Sequence, residues 1–393
     1  MTAVTVICKN MKVALVHDYL IEYGGAERTL EAIHELYPDA PIYTSLFDEE
    51  KFKVQSSKFK SAVKSSKLQR LPLVSKFSKT FTFFYPLIFE NLDLREYDVI
   101  ISDGTIWSKG VLTTPEQLFI FYCHTPPRWL WGLPGETDRR RLWYLKPILK
   151  PLDNGLRIWD FESAQRPDYI IANSKTVAKR IKKFWRREAT VIYPPVELGT
   201  RHWALGNSDK KDSSAYSLVP NAYFLVVSRL SAYKNVDLAI EACSQLNLPL
   251  VVVGAGREEK RLKKLAGPTV KLLKFVKDLE LFKLYKNCKA LIHSVSDEDF
   301  GIAPVEAMSF GKPVIALRSG GVQETVIEGK TGIFFNEPTV ESLVEVLCHF
   351  DTAQYHSEDC RRQAQKFSKG RFQKELREFV EEKWQKLKKY STM

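Results

Sequence analysis

Short apolar runs alternate with amphipathic stretches of helical period along almost the whole chain. This rhythm points to βα units around parallel sheets, because strands covered on both faces read as continuous apolar runs. In the first half the runs Lys12–His17, Asp98–Ser102, Leu118–Cys123, Asp168–Ala172 and Ala189–Tyr193 read as buried strands. Helices are expected at Ala26–His34, Arg139–Ala164 and Thr176–Trp185. A polar, Ser/Lys/Asp-rich stretch without periodicity, Gly206–Ser217, breaks the series and reads as a linker. A second series follows, at Tyr223–Ser228, Leu250–Gly254, Val270–Phe275, Ala290–Ser294 and Pro313–Leu317. A charged helical stretch, Gln373–Lys389, closes the chain.

A length of 393 residues suits about two domains. The expected division is residues 1–197, a linker at 198–219, a second domain at 220–365, and a terminal helix at 366–393 able to pack back on the first. Two doubly wound halves in series imply a ligand cleft between them. With 44% apolar residues the chain is globular. A net charge of +12 favours anionic partners. The six cysteines are widely spaced, as in a protein with reduced thiols, so a cytosolic setting is expected. The N-terminus does not read as a signal peptide. The apolar stretch Phe81–Phe89 contains Pro86 and is too short to span a bilayer.

Three segments carry chemistry. Gly24–Gly25 follow the first strand, where the absence of Cβ atoms lets helix-start amides approach an anion. The pattern is an incomplete dinucleotide fingerprint, and an ordinary tight turn is its bland alternative. Arg229 and Lys234 lie at a strand end and the following helix start, where a guanidinium and an ammonium can neutralise a diphosphate. In isolation such a pattern is common and reads more readily as a solvated basic pair. The strongest segment is Ser296–Ala316, in which seven residues separate Glu298 from Glu306. Gly301 permits a tight turn, so that amides of Phe300, Gly301 and Ile302 can face a phosphate while Pro304 opens a helix. The two glutamates can then accept hydrogen bonds from hydroxyls at opposite ends of one sugar-containing ligand.

The E-x7-E segment, with R-x4-K upstream and Gly-Gly after the first strand, resembles the retaining family-4 glycosyltransferases. Phe121–Trp131, Tyr169–Ile181, Tyr193–Glu197 and Ser319–Val326 extend the likeness from about Lys12 to Arg362. The His-Thr-Pro-Pro-Arg segment is similar to bacterial mannosyltransferases acting on polysaccharide precursors. The resemblance implies an α/β protein of GT-B fold, with two doubly wound Rossmann-like domains facing across a cleft. It places Gly24 and Gly25 beside the donor phosphate and transferred sugar, and His124 at the reaction centre. Arg229 and Lys234 would hold the diphosphate, Glu298 and the amides of Phe300–Ile302 the sugar, and Glu306 the ribose; His124 and Glu298 are the catalytic assignments. The base would pack near Phe275 and Val276. No metal and no cofactor are implied, the sugar nucleotide being a substrate.

Asp297–Asp299 forms a literal D-x-D, the metal motif of a different glycosyltransferase fold, but it falls inside the E-x7-E frame. Between Lys51 and Thr80 nine Lys/Arg and no Asp/Glu are interleaved with apolar residues. That composition fits docking on an anionic membrane surface or a solvated face, and no nucleic-acid module accompanies it. The reading is therefore a cytoplasmic enzyme, peripheral on the membrane, that moves mannose from GDP-mannose to a glycan or lipid-linked acceptor. Its rivals are a UDP-sugar enzyme of the same fold, a phosphorylase, and a catalytically silent sugar-nucleotide-binding protein.

Overall fold

The structure is a computed structural model and describes residues 11–50, 52, 62–70, 84–135, 146–199, 222–274 and 276–391. The expected linker therefore lies almost wholly outside the described residues, as do Phe275 and most of the basic run. The chain forms two compact units, one of residues 1–133, 137–195 and 370–393, the other of 134–136 and 196–369.

In the first unit the elements run β1 (Val13–His17), α1 (Gly25–His34), β2 (Ile42–Thr44), β3 (Val63–Ser65), α2 (Tyr85–Glu90), β4 (Val99–Gly104), β5 (Leu118–Cys123), α3 (Lys146–Ser163), β6 (Tyr169–Ala172), α4 (Lys175–Trp185) and β7 (Thr190–Val191). The strands make one parallel sheet in the order β3-β2-β1-β4-β5-β6-β7. Strand order reverses between β1 and β4, which makes their C-terminal ends the natural ligand crevice of this sheet. The short strands β2 and β3 escape the sequence reading because three residues show no apolar run; β7 is shorter than expected. One sheet face packs Leu15, Leu30, Ile33, Ile101 and Ile120, the other Ala14, Val16, Ile100 and Phe119.

The second unit continues with β8 (Phe224–Val227), α5 (Val236–Gln245), β9 (Leu250–Val253), α6 (Glu259–Leu265), β10 (Val270–Leu273), α7 (Asp278–Asn287), β11 (Ala290–His293), α8 (Ile302–Ser309), β12 (Val314–Leu317), α9 (Val322–Thr325), β13 (Gly332–Phe335), α10 (Val340–His349) and α11 (Ser357–Gln365). Its parallel sheet runs β10-β9-β8-β11-β12-β13, with the reversal between β8 and β11. The last helix, α12 (Lys369–Ser391), inserts Phe372, Leu376, Phe379, Val380 and Trp384 into the core of the first unit. No helix among the described residues is long and apolar enough to cross a membrane.

Candidate active site

At the strand ends of the first sheet, parallel register sets His17 beside Asp103. The Asp103 carboxylate is fully buried and accepts from His17 Nδ1 at 3.0 Å and from His124 Nε2 at 2.7 Å. On its far side His17 Nε2 lies 3.7 Å from Glu27 Oε1. The other oxygen of Glu27 accepts from the Gly24 amide at 2.7 Å, as the third residue of a capped helix does. Gly24 and His124, two residues of the sequence reading, are thus joined through three that it did not assign.

Electrostatics follow from this chain of opposite charges. Burial disfavours a charged imidazole, but the bonds to Asp103 and Glu27 outweigh it and raise the His17 pKa to about 10. Burial likewise works against an ionised Asp103, yet His124 and His17 hold it below the usual carboxylate range. The loop after β4 is set by Asp18, whose carboxylate accepts from the amides of Thr105, Ile106, Trp107 and Ser108 at 2.7–3.0 Å. That cluster of amides could bind a phosphate, but the chain's own carboxylate fills it.

Beyond β5, His124 is braced edge-on by Tyr122, and Arg180 on α4 donates to Thr125 Oγ1 at 3.0 Å. Further along, Trp131 Nε1 donates to Asp160 Oδ2 at 2.8 Å. The other Asp160 oxygen lies 2.7 Å from Lys109 Nζ, a fully buried ammonium, and Trp185 Nε1 also donates to Oδ2 at 2.7 Å.

In the second unit the E-x7-E segment leaves β11 as a loop and enters α8 at Ile302, so Pro304 sits two residues inside the helix rather than opening it. Gly301 has φ +92°, a conformation that glycine adopts without steric cost. The loop is pressed against Ser319–Gly321: Ser319 Oγ accepts from the Asp297 amide, and Gly321 N donates to Glu298 O. A Cβ on Gly320 would meet Glu298 O at 2.2 Å, so only glycine permits this approach.

Lys234 Nζ donates to Glu298 Oε2 at 3.0 Å, and His293 Nε2 lies 3.1 Å from the same oxygen. Burial opposes ionisation of Glu298, but the Lys234 charge and then His293 overcome it and hold the pKa well below normal. Lys234 is raised correspondingly, burial being outweighed by Glu298. The two residues assigned to diphosphate and sugar therefore form one ion pair. Arg229 is exposed and donates to Tyr233 Oη at 3.3 Å. Glu306 accepts from Tyr285 Oη at 2.7 Å within α7 and α8, where Phe310 stacks on the tyrosine. Phe300 is buried edge-on against Phe367, so its contribution to a ligand would come from the backbone.

Two family profiles match the chain: "Glycosyltransferase Family 4" at residues 23–200 and "Glycosyl transferases group 1" at residues 209–367. The chain is a glycosyltransferase that carries both of these domains in series.

Among relatives of this glycosyltransferase, the alpha-1,3/1,6-mannosyltransferase ALG2 of Dictyostelium discoideum is 28% identical, the match covering 63% of this chain and 65% of that one. The protein of the same name from Debaryomyces hansenii is 26% identical over 81% of this chain and 76% of its own. Against Neurospora crassa alg-2 the chain spans about half of the relative's length, 54%. Among solved structures, Anabaena Alr3699/HepE in complex with UDP and glucose aligns over 94% of this chain and 99% of its own, with TM-score 0.63 and 21% identity. Sucrose-phosphate synthase from Thermosynechococcus elongatus aligns over 95% and 99%, with TM-score 0.66 and 16% identity. Both share the fold of two Rossmann-like parallel-sheet domains, the GT-B architecture.

His17, Glu27, Asp103, His293 and Tyr285 are the residues that sequence reasoning missed. A signal existed for three of them: His17, Asp103 and His293 are polar residues at the ends of otherwise apolar strands, the edge at which such sheets place their chemistry. Glu27 and Tyr285 sit on helices and carry no comparable mark.

Proposed function

We propose that the enzyme transfers mannose from GDP-mannose, with retained configuration, to a glycan or lipid-linked acceptor. The observation that carries the reading is the buried Lys234–Glu298 pair at the strand reversal of the second sheet, together with Glu306 on the next helix. The mannose assignment draws on the alpha-1,3/1,6-mannosyltransferase relatives. As the glycosidic bond breaks, negative charge builds on the leaving diphosphate. Lys234, Arg229 and the amides around Gly301 would stabilise it without a metal ion. His124 would meet the sugar: Asp103 holds Nε2–H, which leaves Nδ1 to accept from a sugar hydroxyl. Asp103 itself is buried and shared by two imidazoles, so it supports His124 rather than attacking the anomeric carbon. Acceptor attack on the face the diphosphate leaves is the mechanism consistent with that arrangement.

The test is a panel of sugar nucleotides scored for hydrolysis and for thermal stabilisation. GDP-mannose should be turned over and should raise Tm most; preference for UDP-glucose would replace the donor assignment.

Peripheral docking on the cytoplasmic membrane face is the second part of the proposal. The helix α2 buries Tyr85 and Phe89 while Phe84 and Leu87 remain more than half exposed, at 55% and 57%. The basic residues between Lys51 and Thr80 adjoin it in sequence. Replacing Lys58, Lys60, Lys64 and Lys67 with Ser should weaken binding to anionic vesicles by roughly 1 kcal/mol per charge. Unchanged binding would return the segment to an ordinary solvated face.

A further inference from the structure

We propose that His17 is a positioning residue for sugar transfer, acting through Asp103 on His124, with Glu27 holding its far side. The proposal rests on the reading that His124 faces the donor sugar.

The geometry is that of a clamp rather than of ordinary packing. Both His17 ring nitrogens face carboxylates, Asp103 Oδ2 at 3.0 Å and Glu27 Oε1 at 3.7 Å. Each carboxylate spends its second oxygen on a group assigned to the donor: Asp103 Oδ1 on His124 Nε2 at 2.7 Å, and Glu27 Oε2 on the Gly24 amide at 2.7 Å. A protonated His17 is the cation that lets two buried carboxylates stand at this distance without repulsion. It also dictates which oxygen of each remains for its other partner. Three parallel elements, the ends of β1, β4 and β5, contribute His17, Asp103 and His124, and the start of α1 contributes Glu27. A shift of His17 would therefore move the Asp103 carboxylate and the His124 imidazole together. Of the five groups His124 is the one with appreciable side-chain exposure besides Glu27, at 15% against 3% for His17 and 0% for Asp103. This suits a chain whose buried members orient an accessible one.

A residue that acts only by orienting His124 should lower the rate of the chemical step and lose its effect once His124 is removed. The experiment is a double-mutant cycle on donor hydrolysis, using GDP-mannose or UDP-glucose, whichever the unmodified enzyme turns over. His17→Asn, which keeps a donor for Asp103 and abandons Glu27, should reduce kcat about tenfold with little change in KM. Adding it to His124→Ala should slow that variant by less than about twofold, because the group it orients is already gone. Glu27→Gln keeps an acceptor for the Gly24 amide and the helix cap, so it folds even where His17→Asn does not. The same cycle on Glu27→Gln should give the same non-additive result. Losses that multiply in either cycle, or a His17→Asn variant with unchanged kcat, would overturn the relay while leaving His124 in place. A His124→Ala variant running at full rate would instead overturn the site reading, and the relay with it.

Discussion

Lys234 Nζ and Glu298 Oε2 lie 3.0 Å apart, with 14% and 11% of their side chains exposed, so the cation proposed for the diphosphate is held by the carboxylate proposed for the sugar. A pair this buried repays its desolvation only while both charges are present. Its members are thus assigned to stability and proposed for chemistry, and the two roles separate experimentally. Lys234→Ala should lower turnover by on the order of a hundredfold and destabilise the fold by about 3 kcal/mol, because Glu298 keeps a buried charge that has lost its ammonium partner. The double variant Lys234→Met/Glu298→Leu should regain most of the stability and none of the turnover. Activity should persist in excess chelator; its complete loss there, restored by Mg²⁺, would show that a metal supplies the countercharge instead.

Glu306, the residue proposed for the ribose, accepts from Tyr285 Oη at 2.7 Å. Glu306→Ala should weaken binding of GDP and GDP-mannose alike by roughly 1.5–3 kcal/mol, the range for a charge-assisted hydrogen bond. Tyr285→Phe should cost about 1 kcal/mol in the same calorimetric titration, since the carboxylate stays but loses its guide. Glu298→Ala should spare GDP and depress turnover. Equal losses for GDP in the Glu298 and Glu306 variants would dissolve this division of labour.

The His17–Asp103 pair makes stability depend on pH in a stated direction. His17 is raised from 6.5 to about 10, so its contribution is complete below pH 6.5 and is lost as pH rises through 10. Asp103 is depressed, so its contribution is present above its unfolded value of 3.8 and is lost as pH falls through the lower folded one. Both are in place between these limits, from about pH 4 to 6.5. Between pH 7 and 10 the Tm of the unmodified protein should therefore fall more steeply than that of His17→Asn. Parallel curves would mean that the folded His17 is neutral across this range.

Asp160 neutralises the buried Lys109 ammonium at 2.7 Å while accepting from Trp131 and Trp185. Asp160→Ala should cost roughly 3–5 kcal/mol in denaturant unfolding, because the buried Lys109 ammonium then lacks its counter-charge. Combining it with Lys109→Met should recover much of that loss. Since Trp131 belongs to the segment that follows His124, the single variant should also reduce turnover at temperatures where it is still folded.

Hydrophobic rhythm alone made the central strands legible. Leu118–Cys123 was read to the residue, and Phe224–Val227 and Ala290–His293 to within one at each end. Parallel strands buried on both faces must be continuous apolar runs, and that property survives in one dimension. The segments assigned to chemistry, Gly24–Gly25, R-x4-K and E-x7-E, are short stretches whose spacing directly sets local geometry. The strands Ile42–Thr44 and Val63–Ser65 were not legible, because three-residue elements owe their conformation to the neighbour they pair with. Nor could sequence separation reveal that His17 and Asp103 share a bond across 86 residues, or that Lys234 and Glu298 meet across 64. Strand order and register decide such meetings. The residue types and their local turns were set by the sequence, whereas which charges neutralise one another in the interior was decided only when the sheets assembled.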